Sequence, residues 1–322
     1  MTASVTRLAP SPTGALHLGN ARTFLVNFLL ARRSGWRILM RVEDLDGPRV
    51  KGGAGEQMLD ELRWLGLSWE EPIVYQSQRA AAYRAALGRL VELGQAYPCV
   101  CSRSDVTAAS SAPHGGEGQA AYPGTCRGRF ASVEQAEAFA GRAPSYRVRV
   151  GGEPIEFVDR FAGPRAFCLS RAGGDFVIFK NDGLAAYQLA VVVDDDDGGV
   201  DAIVRGEDLL ESAARQIHLC RLLGLRGQVQ YWHLPLVVGP DGRRLAKRHG
   251  DTRLAHYRQA GTTPQRLLGL LGYWCGLLDH RQPATMEELL DRFDLALLPR
   301  RPIVFSRDDD EFLLGSQRAL PL

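Results

Sequence analysis

Apolar residues follow two different spacings near the start of the chain, and each spacing predicts one kind of element. The segment V-T-R-L-A at 5–9 predicts a short buried strand, and the turn P-S-P-T-G follows it. From Leu16 the apolar residues recur every three or four positions, which predicts a helix that stops at Gly35. The segment W-R-I-L-M-R-V at 36–42 then predicts a second strand. A strand, a helix and a strand in this order indicate the start of a parallel sheet.

The rest of the chain continues this pattern with one interruption. Helices are predicted at 58–65, 80–93, 211–223, 264–278 and 286–293, and strands at 146–150, 155–158, 176–180, 189–193, 202–205 and 234–238. From Tyr97 to 185 the strands are short and the loop at 110–118 is rich in Ser and Gly, which indicates an insertion. We therefore predict an α/β fold, a Rossmann-type parallel sheet with an inserted α+β subdomain and a small C-terminal helical domain. The predicted domains are 1–96 and 186–250 for the two halves of the sheet, 97–185 for the insertion and 251–322 for the helices.

Composition limits the classes of protein that fit. The chain has 39 Lys and Arg against 37 Asp and Glu, so contact with a nucleic acid must use local positive charge. No apolar stretch approaches the roughly 20 residues that cross a bilayer, and no signal peptide is recognisable. Six cysteines are too sparse for a disulfide scaffold. We expect a cytoplasmic protein with no membrane contact.

The turn after the first strand carries the strongest chemical signal, R-L-A-P-S-P-T-G-A-L-H-L-G-N at 7–20. A helix that begins just after a strand presents free backbone N–H groups and the positive end of its dipole, which favour a phosphate. Gly14 and Gly19 lack a Cβ and let a nucleotide approach closely, and His17 can donate to a phosphate oxygen. The short pattern His-x-Gly alone also fits a proline-rich turn with a surface histidine.

A second basic segment, R-L-A-K-R at 244–248, follows the turn G-P-D-G at 239–242. Alone it also fits a solvated basic hairpin. Both segments together resemble the "HIGH" and "KMSKS" motifs of class I aminoacyl-tRNA synthetases, in the glutamyl and glutaminyl branch. In that branch R-F-A-P-S-P-T-G precedes the first motif. Here the first lysine, the methionine and both serines of the second motif are replaced.

The resemblance implies an ATP site. Its residues would be His17, Gly19, Asn20 and Lys247, with His17, Gly19 and Lys247 catalytic. Asn20 stands at the fourth position of the first motif, where histidine is usual. Lys247 matches the second lysine of the other motif, and its ammonium would stabilise charge on the polyphosphate. Mg²⁺ is expected to accompany ATP.

The same resemblance implies a pocket for L-glutamate. The matching positions are Arg7, Ala9, Ser11, Glu43, Tyr187 and Arg205. Arginines at strand ends can bind carboxylates through paired hydrogen bonds, and a carboxylate can bind the substrate ammonium. Taken singly, each charged residue also fits a surface ion pair or a cap, and Tyr187 a core aromatic. The acidic run at 194–197 is predicted to be a solvated loop without a magnesium role.

Cysteines are concentrated at the start of the insertion, at Cys99, Cys101 and Cys126, with Tyr122 between them. Three thiolates suit a closed structural zinc site, although the spacing also fits free cysteines. The resemblance implies one structural Zn²⁺ held by the three cysteines, with Tyr122 as the fourth ligand.

Only 74 residues follow Arg248 in this chain of 322, and glutamyl-tRNA synthetases carry a large anticodon-binding region there. This short C-terminal part and the tyrosine among the cysteines both resemble the glutamyl-queuosine tRNA(Asp) synthetase branch. That branch activates glutamate without tRNA and esterifies it to the queuosine base in the anticodon. The resemblance implies a monomeric ligase whose partners are ATP, L-glutamate and tRNA(Asp) bearing queuosine. The alternatives are a compact glutamyl-tRNA synthetase that charges the tRNA 3′ end and a non-catalytic paralogue that binds tRNA or senses glutamate.

Overall fold

The computed structural model describes residues 3–45, 52–110, 121–226, 229–245 and 249–315. In chain order the strands are β1 (Val5–Leu8), β2 (Arg37–Val42), β3 (Glu70–Tyr75), β4 (Ala96–Cys99), β5 (Ser145–Val148), β6 (Ile155–Asp159), β7 (Gly163–Phe167), β8 (Val177–Phe179), β9 (Ala202–Gly206), β10 (Gln230–Leu234), β11 (Val237–Val238) and β12 (Ile303–Val304). The helices are α1 (Leu18–Arg33), α2 (Ala54–Trp64), α3 (Ala80–Glu92), α4 (Arg103–Ser110), α5 (Val133–Ala140), α6 (Tyr187–Asp197), α7 (Leu210–Leu223), α8 (Leu254–Gln259), α9 (Pro264–Trp274), α10 (Met286–Arg292) and α11 (Arg307–Leu314).

The chain forms two compact units. The first consists of Met1–Tyr75, Val200–Leu209 and Gln230–Leu322, and the second of Gln76–Gly199 and Leu210–Val229. The division differs from the predicted insertion at 97–185, because α3, α6 and α7 pack on one another and all belong to the second unit. The four predicted domain ranges remain predictions.

Parallel strands form the centre of the first unit. Strand β2 pairs in parallel with both β1 and β3, and β9 pairs in parallel with β10. Strand β9 lies next to β1, where the N–H of Asp201 donates to the carbonyl of Val5 over 3.0 Å. Every residue of β1 is buried, as expected for a strand covered on both faces. The predicted α/β class with a parallel sheet is confirmed.

Helix α1 connects β1 to β2 as predicted. Its apolar residues Leu18, Leu25 and Leu29 are fully buried, at the spacing that places them on one face. The side-chain amide of Asn27 donates to the carbonyl of Arg7 over 2.9 Å and so joins the helix to β1. The helix ends before a glycine in the left-handed region, which only glycine adopts readily.

The C-terminal part of the chain is mainly helical, in agreement with the predicted pattern. Helices α9, α10 and α11 each begin at a Thr or Ser whose hydroxyl accepts a backbone N–H, at Thr263, Thr285 and Ser306. Strand β12 pairs with β11 within the same compact unit. Helical structure after residue 251 is therefore present, but a separate C-terminal domain remains a prediction. Across the described ranges, we find no helix with the length and apolar character to cross a membrane.

The second unit contains an antiparallel sheet in the order β4-β5-β8 and an antiparallel hairpin of β6 and β7. The predicted strands at 146–150, 155–158 and 176–180 correspond to β5, β6 and β8. This mixture of short strands and helices matches the α+β character expected for the insertion. The predicted loop at 110–118 lies outside the described residues except at its first position.

Two predictions for residues 189–197 were wrong. The run L-A-V-V-V at 189–193 belongs to helix α6 and not to a strand. A short all-apolar run fits a buried helix as well as a buried strand, and here the helix is buried on several sides. The acidic run at 194–197 forms the last turn of α6 instead of a solvated loop. Asp194 is buried and accepts hydrogen bonds from Tyr83 Oη and Gln76 Nε2.

The strand predicted at 234–238 was also misplaced. Strand β10 ends at Leu234, and β11 contains only Val237 and Val238. Pro235 lies between the two strands and has no N–H to donate to a ladder. Its carbonyl instead accepts a hydrogen bond of 2.8 Å from the buried Arg22. The apolar run L-P-L-V-V therefore crosses the end of one strand and the start of another.

Candidate active site and metal centre

A cavity of about 860 Å³ lies in the first unit beside the start of helix α1. It is lined by the Pro-Thr-Gly turn, by His17, by one face of α2 from Ala54 to Glu61, and by residues 250–253 and 255. The cavity therefore joins the first predicted ATP motif to the segment that follows the second one.

Backbone hydrogen bonds join these two segments directly. The N–H of Leu18 donates to the carbonyl of Thr252 over 3.0 Å, and the N–H of Leu254 donates to that of Leu16 over 2.9 Å. The two bonds make an antiparallel bridge between His17 and Arg253. Residues far apart in sequence are thus held side by side at one wall of the cavity. Lys247 itself lies outside the described residues, so its predicted contact with ATP remains a prediction.

His17 is the N-cap of helix α1. Its Nδ1 accepts the N–H of Gly19 over 3.1 Å, while the side-chain oxygen of Asn20 accepts the N–H of His17 over 3.3 Å. Because Nδ1 is an acceptor, the ring proton of the neutral imidazole is on Nε2. Burial, with the nearby charge of Arg244, lowers the pKa of His17 to about 4. His17 is therefore a neutral hydrogen-bond donor at pH 7, and Asn20 stabilises the helix start.

The structure explains why position 19 is a glycine, in a way that the sequence did not reveal. A Cβ at this position would lie 3.1 Å from Cε1 and 3.2 Å from Nδ1 of His17. The missing side chain therefore leaves room for the imidazole ring that caps the helix. At Gly14 a Cβ would meet no atom of the described residues within 4 Å. The capping geometry therefore accounts for the spacing His-x-Gly without reference to a nucleotide.

The predicted turn at 239–242 is present, with the N–H of Gly239 donating to the carbonyl of Arg243 over 2.8 Å. His249 packs against this turn, and its Nε2 lies 2.9 Å from Oδ1 of Asp241. A Cβ at position 239 would be only 2.5 Å from the His249 ring, so any larger residue there would force the ring to move. Arg244, the first residue of the second motif, donates to Asp208 over 2.7 Å.

Several predicted glutamate-binding residues meet at the carboxyl ends of β1 and β2. Arg7 is a buried residue of β1, and Ala9 and Ser11 follow that strand. The N–H of Glu43 donates to the carbonyl of Pro10 over 2.9 Å, which extends the pairing beyond both strands. The Glu43 carboxylate accepts a hydrogen bond of 3.2 Å from a neighbouring buried arginine, Arg41. Ligand sites in parallel sheets lie at this edge.

Arg205 lies on β9, the strand next to β1, and only 4% of its surface is exposed. Its Nε donates to Nε2 of His233 over 2.9 Å. Its two terminal nitrogens, Nη1 and Nη2, are buried and have no hydrogen-bond partner among the described residues. Leaving such donors unsatisfied costs about 1–3 kcal/mol each. The arrangement suits a planar anion such as a carboxylate.

His233 was missed by the sequence analysis. It lies on β10 directly opposite Arg205 in the parallel register, which no sequence pattern specifies. Because its Nε2 accepts a hydrogen bond from Arg205 Nε, the His233 ring fixes the plane of the guanidinium. Tyr187, the remaining predicted glutamate residue, begins helix α6 in the second unit and is half-buried.

Glu61 is a second residue that the sequence did not single out. It is only 2% exposed, and burial raises the pKa of its carboxyl group. One oxygen accepts a hydrogen bond of 2.8 Å from Gln57, and Oε2 has no partner in the described part of the chain. Glu61 lines the cavity, so it adds a buried carboxyl group to the wall beside His17. A glutamate within a helical pattern is usually on the surface, which is why the pattern gave no signal.

The predicted metal ligands lie together in the second unit. The sulfur atoms of Cys99, Cys101 and Cys126 all lie within 4.8 Å of one another, and two of them, Cys101 and Cys126, are 3.5 Å apart. Tyr122 Oη lies 3.4 Å from the sulfur of Cys99 and accepts the backbone N–H of Cys126 over 2.8 Å. We call these four residues the cysteine cluster.

The cysteine cluster fits a tetrahedral zinc ion. Zinc–sulfur bonds of about 2.3 Å place tetrahedral sulfur ligands roughly 3.8 Å apart, which is close to the 3.5 Å between Cys101 and Cys126. Burial, with the hydrogen bond to Cys126, raises the pKa of the Cys101 thiol to about 12, and burial also raises the pKa of the Tyr122 phenol. These groups therefore need a cation to become anionic near neutral pH, and cation binding would release protons.

Comparison with known proteins agrees with this geometry. The family described as class I tRNA synthetases (E and Q), catalytic domain, matches residues 4–309. A Glutamyl-Q tRNA(Asp) synthetase of Symbiobacterium thermophilum is 50% identical over 92% of this chain and 94% of its own length. A second protein with that name, from Rhodopirellula baltica, is 43% identical over 94% of this chain and 97% of its own.

A solved structure supports the fold. A glutamate tRNA ligase from Elizabethkingia meningosepticum, in complex with its amino acid, matches with a TM-score of 0.79. The match covers 97% of this chain and 69% of that one, at 24% sequence identity. At this identity the similarity concerns the α/β architecture and not the substrate.

Proposed function

Since the chain belongs to the class I tRNA synthetases of the glutamate and glutamine group, and is therefore a ligase, we propose that it activates L-glutamate with ATP and transfers it to the queuosine base in the anticodon of tRNA(Asp). The choice of queuosine follows the names of relatives that match over almost the whole of their own length. Activation precedes tRNA binding and does not require it.

The observation that carries glutamate as substrate is the state of Arg205. A buried guanidinium with two unsatisfied nitrogens favours a ligand with an extra carboxylate over the corresponding amide. In the proposal Arg7 and Arg205 bind the carboxylates and Glu43 binds the ammonium. The other contacts come from Ala9, Ser11 and Tyr187, the remaining positions that match the family pattern.

In the first step a carboxylate oxygen of glutamate attacks the α-phosphorus of ATP, which enters as its Mg²⁺ complex. A new oxygen–phosphorus bond forms, the bond to the β-phosphate breaks, and pyrophosphate leaves. Neutral His17 donates Nε2–H to a phosphate oxygen, and the positive end of the α1 dipole adds to this stabilisation. Gly19 and Asn20 hold His17 in place, and Lys247 contributes positive charge.

In the second step a hydroxyl of queuosine attacks the carbonyl carbon of the glutamyl adenylate. An ester bond forms, AMP leaves, and the hydroxyl proton passes to solvent. We assign no general base on this chain, and the proposed catalysis relies on orientation of the two reactants and stabilisation of the developing charge.

The cysteine cluster is proposed to hold one structural Zn²⁺ through Cys99, Cys101, Cys126 and Tyr122. The sulfur separations and the buried phenol oxygen support this assignment. Such an ion would stabilise the second unit by joining the end of β4 and Cys101 to Tyr122 and Cys126, which precede α5. Metal analysis of the purified full chain, with zinc expected at one ion per chain, tests this part independently of catalysis.

The first test of the reaction is glutamate-dependent exchange of pyrophosphate into ATP without tRNA. Exchange with glutamate and none with glutamine or aspartate is expected. Dependence of the exchange on added tRNA would contradict activation in the absence of tRNA. Absence of exchange under both conditions would favour a non-catalytic paralogue.

The second test compares transfer of radiolabelled glutamate to tRNA(Asp) with and without queuosine. Label is expected only on the queuosine-containing tRNA, and mild periodate oxidation of its cis-diol beforehand should abolish the labelling. Equal labelling of both tRNAs, or labelling of the 3′ end of tRNA(Glu), would support the compact glutamyl-tRNA synthetase instead.

A further inference from the structure

One arginine contacts two of the four residues of the cysteine cluster. Arg147 lies on β5, directly opposite Tyr97 of β4, and Cys99 ends that neighbouring strand. Its Nε donates to the sulfur of Cys99 over 3.3 Å. Its guanidinium carbon lies 3.8 Å from the centre of the Tyr122 ring. A single positive charge is therefore held against a thiol and a phenol at the same time.

The protein fixes the orientation of this guanidinium through its backbone. Nη1 of Arg147 donates to the carbonyl of Asp175 over 2.6 Å. Asp175 is itself held in place, since its carboxylate accepts the Tyr97 hydroxyl over 2.5 Å and the N–H of Val150 over 2.8 Å. The Asp175 carboxylate also pairs with a different arginine, Arg127. Among the described residues Arg147 forms no ion pair with a carboxylate, so its charge faces the cluster.

A metal-bound cysteine cluster would carry a net negative charge, which a nearby guanidinium can stabilise. Three thiolates and one phenolate carry four negative charges, and Zn²⁺ offsets only two of them. Tyr122 is 6% exposed and Cys99 1% exposed, so water solvates the remaining charge poorly. A guanidinium that donates to a sulfur and covers the aromatic ring offsets part of that charge.

We infer that Arg147 is a positioning residue of the metal site: it orients Cys99 and Tyr122 and offsets part of the negative charge of the metal-bound cluster. The inference rests on the proposed zinc site and extends it beyond the four ligands. Groups that contact metal ligands typically change metal affinity by roughly 10- to 100-fold when they are removed. We expect an effect of this size for Arg147.

Arg149 offers a matched control two residues along the chain. Its guanidinium carbon also lies over a tyrosine, 5.0 Å from the Tyr97 ring, and its Nε also donates to a backbone carbonyl, that of Gly94, over 2.9 Å. Unlike Arg147, it has no contact with a cluster residue in the described structure. Loss of a stacked arginine can thus be compared with and without contact to the proposed ligands.

The experiment measures zinc affinity of the purified full chain by competition with a chromophoric chelator, for the wild type, Arg147→Met, Arg147→Lys and Arg149→Met. Methionine keeps most of the aliphatic volume and removes the charge and the donors. We expect affinity roughly 10- to 100-fold weaker for Arg147→Met, a smaller loss for Arg147→Lys and a change within about twofold for Arg149→Met. With Co²⁺ in place of zinc, the thiolate charge-transfer band of Arg147→Met should shift because the Cys99 sulfur loses its hydrogen bond.

The outcomes separate this inference from the zinc proposal. If the wild type binds no zinc, the proposed site is wrong and the inference falls with it. If the wild type binds zinc and Arg147→Met binds it equally tightly with an unchanged cobalt spectrum, only the role of Arg147 is wrong. Equal losses in Arg147→Met and Arg149→Met would also overturn that role, because they would reflect general destabilisation of the sheet.

Discussion

Arg205 in the first unit and the cysteine cluster in the second are both buried polar sites, but their atoms have different partners. Arg205 uses Nε to contact His233, while its two terminal nitrogens have no partner within the described ranges. In the cysteine cluster the protein already contacts the ligand atoms, since Cys126 N–H donates to Tyr122 and Arg147 donates to Cys99. The first arrangement suits a ligand that binds and leaves with each turnover, and the second suits one that stays.

The largest effect is expected at the first of these sites. Replacing Arg205 with Gln removes the positive charge and the paired guanidinium donors for a substrate carboxylate, and loss of one partner of a buried charge pair costs about 2–5 kcal/mol. We expect kcat/KM for glutamate in the exchange reaction to fall by roughly 30- to 5000-fold. Arg165→Gln, at a half-buried arginine of β7 in the other unit, serves as the control. A fall of less than threefold in Arg205→Gln would show that the carboxylate binds elsewhere.

At the cysteine cluster, the substitution that corresponds to Arg205→Gln is Cys126→Ser. Serine keeps the size of the side chain but replaces a soft thiolate ligand by a hydroxyl that binds zinc poorly. We expect zinc affinity to fall by more than about 100-fold, beyond the effect of residues that only contact ligands. The measurement is chelator competition, with Cys168→Ser as a control because Cys168 lies outside the cluster. Equal zinc content in all three proteins would contradict the assignment.

How far the sequence predicted each site depends on what defines it. Arg205 was singled out because it lies near the end of a predicted strand within a motif that resembles the family pattern, and its role stays a prediction. His233 was missed because its place beside Arg205 depends on the register between β9 and β10. Sequence spacing cannot specify which residues of two strands lie opposite each other when a long segment separates them. The three cysteines were singled out because zinc ligands are a restricted set of residue types, and Tyr122 only through the family resemblance. The structure brings their side chains together, and their role as ligands stays a prediction.

The fold shows the same limit. Residues 5–42 were predicted well, because α1 has one apolar face and a glycine stop, while β1 and β2 are short and bounded. The run at 189–193 was assigned to a strand because every position is apolar, so its periodicity is lost. Asp194 then looked like part of a loop, although its carboxylate is buried against Tyr83 and Gln76. Tertiary partners decided both cases.

A smaller effect on stability is expected from protonation of His17. This residue is a neutral hydrogen-bond donor at pH 7, whereas Arg205 is a charged one. The pKa of His17 is lowered to about 4 in the folded protein from 6.5. Between these values the unfolded chain binds more protons, so the stability of the folded state falls as the pH falls. We expect this residue to remove about 2 kcal/mol of the free energy of unfolding between pH 7 and pH 5.

Urea unfolding of the wild type and of His17→Asn at both pH values measures this term. Asparagine remains a good N-cap and does not titrate, so the variant should lose about 2 kcal/mol less than the wild type over the interval. An identical loss in both proteins would mean that His17 is protonated in the folded state as readily as in the unfolded one.

The smallest effect distinguishes two explanations for Gly14 and Gly19 in the first motif: room for the His17 ring and close approach of ATP. In Gly19→Ala the new Cβ would press on the His17 ring at 3.1–3.2 Å, so the ring must move by a few tenths of an ångström. Since a displacement of about 1 Å can cost 100-fold, we expect the KM for ATP to rise roughly three- to tenfold. In Gly14→Ala the Cβ meets no protein atom, so a rise there would come from the nucleotide itself. If Gly14→Ala is impaired and Gly19→Ala is not, close approach of ATP, and not the position of His17, explains the motif.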